Sequence, residues 1–234
     1  MSKKVLITGG NKGIGLAVSR AMLEFGYEIT IVARDFADCP LVGVEKVTAI
    51  EYDLSNVEGL PQLMQEVGDV DILINNAGYM QPKYTYDNYP KDAKEHLMNV
   101  DLYTPVELMN LVSVSMKKKK SGRIVNTASI AGQIGHPDVW YGIAKAGLIN
   151  ATKIYAKLLG PDGITVNCVA PSAAETGMQK DNDEARKKAF KSAVVTNRFA
   201  EPEEVAKAIV WLATDCPEYI NGITIDINNC FYPR

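Results

Sequence analysis

Three side chains in this sequence have the types and spacing needed to move a proton. Tyr141 and Lys145 lie four residues apart in Tyr141-Gly142-Ile143-Ala144-Lys145, and Ser129 precedes the tyrosine by twelve positions. Residues i and i+4 of a helix share one face. An ammonium beside a phenol favours the phenolate, because opposite charge stabilises the ionised form. Free tyrosine ionises near pH ~10, so it needs such help to trade protons near neutrality. A serine hydroxyl can hydrogen-bond the same oxygen that the tyrosine protonates. Tyrosine and lysine at this spacing also occur on ordinary amphipathic helices, so the surrounding elements decide between the two readings.

Those elements alternate. Short apolar runs rich in β-branched residues are expected as strands at 4–8, 28–32, 46–50, 70–74, 122–127, 164–169 and 223–227. Between them lie helical patterns from Ile14 to Phe25, from near Val57, over roughly 93–116, from Trp140 to Leu159 and over 203–213, with Pro202 at the start of the last. Strands two and three are joined by a short segment containing Pro40 and Gly43, too trimmed for a full crossover helix. The polar stretch 179–192 is expected as a surface helix that could act as a lid. Alternating strands and helices predict an α/β fold with a doubly wound parallel sheet covered on both faces, a three-layer αβα arrangement. No linker or composition shift divides residues 1–234, so one domain is expected.

In such a sheet ligands bind beyond the carboxyl ends of the strands, where Ser129 falls. The first strand runs into Thr8-Gly9-Gly10-Asn11-Lys12-Gly13-Ile14-Gly15 and then a helix. Glycines let the backbone approach a pyrophosphate, and the helix N-terminus offers unpaired N–H groups. A tight β–α turn with no ligand is the alternative. At the end of the second strand stands Ala33-Arg34-Asp35, where an acidic residue would select a ribose hydroxyl and an arginine a 2′-phosphate. With Lys12 in the loop, Arg34 favours NADP(H) over NAD(H). Asp53, followed by Leu54, is placed to meet an adenine amino group or to cap the next helix. The small residues of Asn75-Asn76-Ala77-Gly78 leave room for a flat ring or ribose. Tyr79, Tyr84, Ile130, His136, Trp140 and Ala173 are candidates for a substrate pocket.

The composition excludes other classes. Charged residues make up 23% and hydrophobic ones 47%, with a net charge of −3, which gives no argument for nucleic acid as a partner. No apolar run is long enough to span a bilayer. Met1-Ser2-Lys3-Lys4 leads straight into the first strand without a signal-peptide pattern, and the expected location is cytoplasmic. Four scattered cysteines and two distant histidines suggest no metal site. The lysine run 117–120 reads as a solvated helix end.

Taken together, Thr8-Gly9-Gly10-x-x-Gly13-Ile14-Gly15, Asp53, Asn75-Asn76-Ala77-Gly78, Asn99-Val100, Ser129, Tyr141-x-x-x-Lys145, Asn167, and Pro171 with Thr176 resemble a short-chain dehydrogenase/reductase of the single-domain, Rossmann-like type. The resemblance covers nearly the whole chain. Gly163-Ile164-Thr165-Val166-Asn167 and Glu175-Thr176-Gly177-Met178 are similar to 3-oxoacyl-carrier-protein reductases, and the opening loop to NADPH-dependent carbonyl reductases.

The resemblance implies a seven-stranded sheet in the order 3-2-1-4-5-6-7. It implies Tyr141 as general acid/base on a ketone or secondary alcohol, Lys145 as its tuner and as a ligand of the nicotinamide ribose, and Ser129 as polariser of the carbonyl. Asn99 would hold a water in a proton relay. Gly9, Asn11, Lys12, Gly13, Ile14, Gly15, Arg34, Asp53, Leu54, Asn75, Ala77, Gly78, Pro171 and Thr176, with Tyr141 and Lys145, would line the cofactor. A homo-tetramer or homo-dimer is expected. Two other functions stay open: a non-catalytic dinucleotide sensor or partner subunit on the same fold, and an NAD(H)-dependent alcohol dehydrogenase. The chain departs from the family in a shortened loop between Ser129 and Tyr141, in Ser172, in the trimmed segment between strands two and three, and in Asp226-Ile227-Asn228-Asn229.

Overall fold

The computed structural model describes residues 2–80, 84–177 and 183–234. Its seven strands are β1 (Lys4–Thr8), β2 (Glu28–Ala33), β3 (Val47–Glu51), β4 (Ile72–Asn75), β5 (Gly122–Thr127), β6 (Ile164–Pro171) and β7 (Thr224–Ile227). They form one sheet in the order β3-β2-β1-β4-β5-β6-β7, and every neighbouring pair is parallel. This is the expected Rossmann-like sheet. The helices are α1 (Gly13–Glu24), α2 (Leu60–Val67), α3 (Lys91–Met98), α4 (Thr104–Lys119), α5 (Val139–Leu159), α6 (Glu184–Ser192) and α7 (Pro202–Ala213).

Strand side chains alternate between the faces of the sheet. Val5 and Ile7 of β1 share an apolar cluster with Val18 and Met22 of α1 and with Val205 and Ile209 of α7. Leu6, between them, joins Leu60 of α2, Leu108 and Val112 of α4 and Leu159 of α5. Each large apolar side chain so buried contributes about 1.5–3 kcal/mol, which makes the two helical layers the main support of the sheet. No helix among the described residues is long and apolar enough to cross a membrane.

Two expectations need correction. The single helix read over 93–116 is broken. Between α3 and α4 lies a π turn, Asn99–Tyr103, in which the Thr104 N–H bonds to the Asn99 carbonyl. Pro105 explains it: proline has no N–H for the Asp101 carbonyl, and its ring would clash there, so the turn widens. The helix expected from near Val57 starts at Leu60, next to Pro61, which needs no hydrogen-bond partner in the first turn. Asp53 therefore does not cap it. Its Oδ1 accepts the Ser55 N–H at 2.9 Å. The lysine run ends α4 exposed, as expected, with Lys119 paired to Asp71 at 2.9 Å and Lys120 to Asp162. Of the stretch read as a lid helix, 183–192 contains α6, which has no buried residue, while 179–182 lies outside the described residues. Met178 and residues 81–83 of the tyrosine-rich loop lie outside them too.

Candidate active site

The carboxyl ends of β1, β4, β5 and β6 bring two groups of residues together. The first is the glycine loop. Gly9 has φ +66, and its N–H donates to the Val32 carbonyl at 2.8 Å. The buried Ser19 hydroxyl of α1 donates to the Gly10 carbonyl at 3.0 Å and fixes the loop from beneath. Asn76 locks it from the side, with its Nδ2 donating to the carbonyls of Thr8 and Gly9, each at 3.2 Å. The Thr8 hydroxyl accepts the N–H groups of Asn76 and Ala77. A Cβ on Gly15 would stand 2.0 Å from the Gly9 carbonyl oxygen, so only glycine permits this closeness. Gly15→Ala is expected to cost about 1–3 kcal/mol through overpacking and to weaken cofactor binding together with it. A thermal melt and a cofactor titration check this.

The loop fits a phosphate-bearing ligand. Lys12, the residue before α1, is extended and makes no side-chain cap, and no acidic residue stands in the first turn. The N–H groups of this end are thus left to an anion. Gly13 faces Thr176 across the cleft, where a Cβ would come within 3.1 Å of the threonine Cγ2. Asn11 ties the loop to the end of β2 by donating to the Asp35 carbonyl at 2.7 Å. Arg34 is exposed at that end and lies near Asp53. Burial raises the Asp53 pKa, but bonds from Ser55 and the charges of His96 and Arg34 hold it below the usual carboxylate range. Ile14 is half-buried beside the loop, and Gly78 is exposed after Ala77. Leu54 buries its side chain and accepts the Thr104 hydroxyl on its carbonyl at 2.6 Å. Pro171 is buried at the end of β6, leading into the segment that carries Thr176.

Asn75 is not among the residues facing this cleft. It is 1% exposed, and its Nδ2 donates to Asn126 at 2.9 Å and to the Pro105 carbonyl at 3.3 Å. Adjacent strand residues point to opposite faces, so only one of the two asparagines can reach the glycine loop. Asn76 is that one.

The second group surrounds Tyr141. Asp138 caps α5 by accepting the Tyr141 N–H on Oδ1 at 3.1 Å. The Asp138 N–H donates to His136 Nδ1 at 3.1 Å, which orders the short loop leading into the helix. Ser129 follows β5 and caps a 3₁₀ turn, Ile130–Gly132, by accepting the Ala131 N–H. Its hydroxyl lies close enough to the Tyr141 phenol to favour ionisation of that group. The Lys145 Nζ lies 5.6 Å from the Tyr141 ring and donates to the Thr127 carbonyl at 3.2 Å. Ser129, Tyr141 and Lys145 are all buried. The sequence reading missed Asp101. It is fully buried in the π turn, and its Oδ1 forms an ion pair with Lys145 at 2.7 Å. Its Oδ2 accepts the Tyr79 N–H at 2.9 Å. Asn99, two residues earlier in the same turn, donates to the Ser55 carbonyl at 2.9 Å, so it braces the loop after β3.

The electrostatics correct a simple expectation. Burial pushes the Tyr141 phenol up; Lys145 and Ser129 pull it down; Asp101 and Asp138 push it up again. The balance lies above, not below, the ordinary tyrosine value. Burial alone would pull the Lys145 ammonium down, but Asp101 and Tyr141, with Cys168, together raise it above the ordinary lysine value. Among the candidate pocket residues, His136 stacks obliquely on Tyr141 at 5.4 Å, Tyr79 meets His96 edge-on at 4.5 Å, and Trp140 lies under the Lys94 ammonium. Ile130 is buried, while Tyr84 and Ala173 are half-buried.

Known proteins share this plan. A family model described as Enoyl-(Acyl carrier protein) reductase matches residues 9–230. The 3-oxoacyl-[acyl-carrier-protein] reductase FabG of Vibrio harveyi is 31% identical over 242 residues, covering 98% of this chain and 97% of that one. A 4-hydroxyisoleucine dehydrogenase structure complexed with NADH superimposes with a TM-score of 0.93 at 25% identity, over 99% of both chains. ElxO with NADP bound superimposes with a TM-score of 0.87 at 28% identity, again over 99% of both. With this fold and these relatives, the chain belongs to the short-chain dehydrogenase/reductase family and is an NAD(P)-dependent oxidoreductase.

Proposed function

We propose that the protein reduces a ketone to a secondary alcohol, and runs the reverse, with Tyr141 as general acid/base and NADP(H) as the preferred cofactor. One observation carries the reading: the buried Tyr141, Ser129 and Lys145 gather at the same carboxyl end of the sheet as the glycine loop and Thr176. When bound, the nicotinamide supplies the hydride. The protein's own groups supply position and a proton. Tyr141 gives its phenolic proton to the substrate oxygen, and the Ser129 hydroxyl donates a hydrogen bond to the same atom as charge develops there. One Lys145 donor is committed to the Thr127 carbonyl and the ammonium is ion-paired with Asp101, which leaves N–H capacity for a ribose hydroxyl. Asn99 holds a relay water through groups other than the amide N–H that Ser55 engages.

A cofactor preference follows from Lys12 and Arg34, exposed at the adenosine end with no acidic residue at position 33. A charged hydrogen bond to a 2′-phosphate contributes about 1.5–3 kcal/mol. Arg34→Ala should therefore weaken NADPH binding roughly tenfold or more and leave NADH binding almost unchanged. Separate titrations with the two cofactors, then a screen of carbonyl compounds by loss of nicotinamide absorbance, test the whole reading. Acetoacetyl-CoA, a small 3-oxoacyl thioester, is the first probe, given the similarity to a 3-oxoacyl reductase. Tighter binding of NADH by the wild type would overturn the preference. Assembly belongs to the same proposal. Val114 on α4 and Ile143, Ile154 and Leu158 on α5 are exposed, an apolar face that a second copy would cover in a dimer or tetramer.

A further inference from the structure

Asp101 is a fully buried carboxylate that the family's proton chemistry does not require, yet it touches Lys145 directly. The ion pair is 2.7 Å long, with side chains 3% and 0% exposed. The carboxylate is itself fixed at its second oxygen by the Tyr79 N–H at 2.9 Å, and its backbone lies in the π turn that Pro105 enforces. A surface pair would be screened and mobile; this one is neither. Breaking such a pair leaves an uncompensated buried charge, which marks it as a costly feature to retain.

We propose that Asp101 is a positioning residue of the reaction: it holds Lys145 in place and, by neutralising the ammonium, keeps the Tyr141–Lys145 pair fully protonated, so that Tyr141 stands loaded as a proton donor. The proposal rests on Tyr141 being the acid. An unpaired Lys145 would draw the proton off the phenol. Paired with Asp101, it presents a dipole and not a full charge. The remaining groups around the pair do not supply this control. From the helix cap, Asp138 opposes ionisation of Tyr141. From the preceding loop, His136 is half-buried; burial lowers its pKa despite Asp138, and Arg186 acts the same way on it. From β5, Ser129 offers a hydroxyl. From β6, the Cys168 thiol is pushed by burial up to about 11 and stays neutral. Tyr89 bonds to Asp138, and burial holds its phenol well above the ordinary value. Among the described residues, only Asp101 forms an ion pair with the ammonium.

The test follows both protons directly, because coupled groups titrate as a pair. The full-length protein is labelled with ¹³C at tyrosine Cζ and lysine Cε, and signals are assigned by their loss in Tyr141→Phe and Lys145→Arg. In the wild type neither Tyr141 nor Lys145 should lose a proton below about pH 9. In Asp101→Asn, which can still accept the Tyr79 N–H, the first proton loss from the pair should fall by about one pH unit or more. An unchanged first step in the folded variant overturns the proposal. Proton loss near neutrality in the wild type overturns it without any variant, so a misfolded Asp101→Asn does not rescue it. The titration reads the ion pair alone. Failure of Tyr141 as the acid would show instead as normal turnover of acetoacetyl-CoA by Tyr141→Phe.

Discussion

Tyr141→Phe is expected to cut turnover about 10²–10⁴-fold, the usual weight of a general acid, while leaving cofactor affinity nearly unchanged. The reasoning is geometric. The phenol is 7% exposed, so water has little access to replace its proton. Ser129 accepts or donates at the same place but ionises too weakly to serve as an acid. His136 is the nearest alternative, with its ring 5.4 Å from that of Tyr141. Its Nδ1 is occupied by the Asp138 N–H, and burial lowers its pKa, so it carries no spare proton near neutrality. The fold should survive, because phenylalanine keeps the ring and its packing and removes only the hydroxyl, a change of about 1 kcal/mol. The measurement is kcat with NADPH and acetoacetyl-CoA, alongside cofactor titration by fluorescence. A variant within tenfold of wild type would remove Tyr141 from the mechanism.

Why the sequence disclosed Tyr141 and not Asp101 has a physical explanation. Ser129, Tyr141 and Lys145 are positioned by local rules: a strand end, a helix and its i, i+4 face. The glycine loop is equally local, a strand running into a helix with its N–H groups free. The order of the sheet follows from alternating strands and helices. Asp101 meets Lys145 from a different helical run, and only after Pro105 has widened the turn beneath it. The signal was present as a proline inside a helical pattern, with an acidic residue four positions earlier. The misreading of Asn75 has a similar source. Strand alternation must place Asn75 and Asn76 on opposite faces, but which face holds the glycine loop depends on register. Asn75 stands opposite Asn126 on β5 and bonds to it, and Asn126 donates in turn to Thr152. That buried polar chain ties β4, β5 and α5 together, and it keeps the helix that carries Tyr141 at a fixed height on the sheet.

Lys145→Met should destabilise the protein more than a surface lysine ever could, by about 3–5 kcal/mol, because it leaves Asp101 charged, buried and unpaired. For a chain of this size that corresponds to a fall in melting temperature of roughly 10 °C or more. Removing the carboxylate as well should return much of the loss. In an Asp101→Asn background the same lysine substitution ought to cost at least about 1 kcal/mol less than in the wild type, the signature of two residues acting as one unit. The pH dependence gives an independent sign. Burial pushes the Asp101 carboxyl up, and Lys145 opposes that shift. Without the lysine, the folded-state pKa rises further above the unfolded value of about 3.9. A group raised in this way adds stability that is fully present below its unfolded pKa and is lost as pH rises through its folded one. The deficit of Lys145→Met relative to wild type should therefore shrink as pH falls from about 8 towards 5, as Asp101 takes up a proton in place of its partner. Thermal melts of the three variants across that range would show it. Equal melting temperatures of Lys145→Met and wild type at pH 8 would mean that Asp101 is not held as a buried carboxylate. The same substitution also removes the donor left for the ribose, so activity should vanish in both backgrounds even where stability returns, which separates the lysine's part in holding the fold from its part in the chemistry.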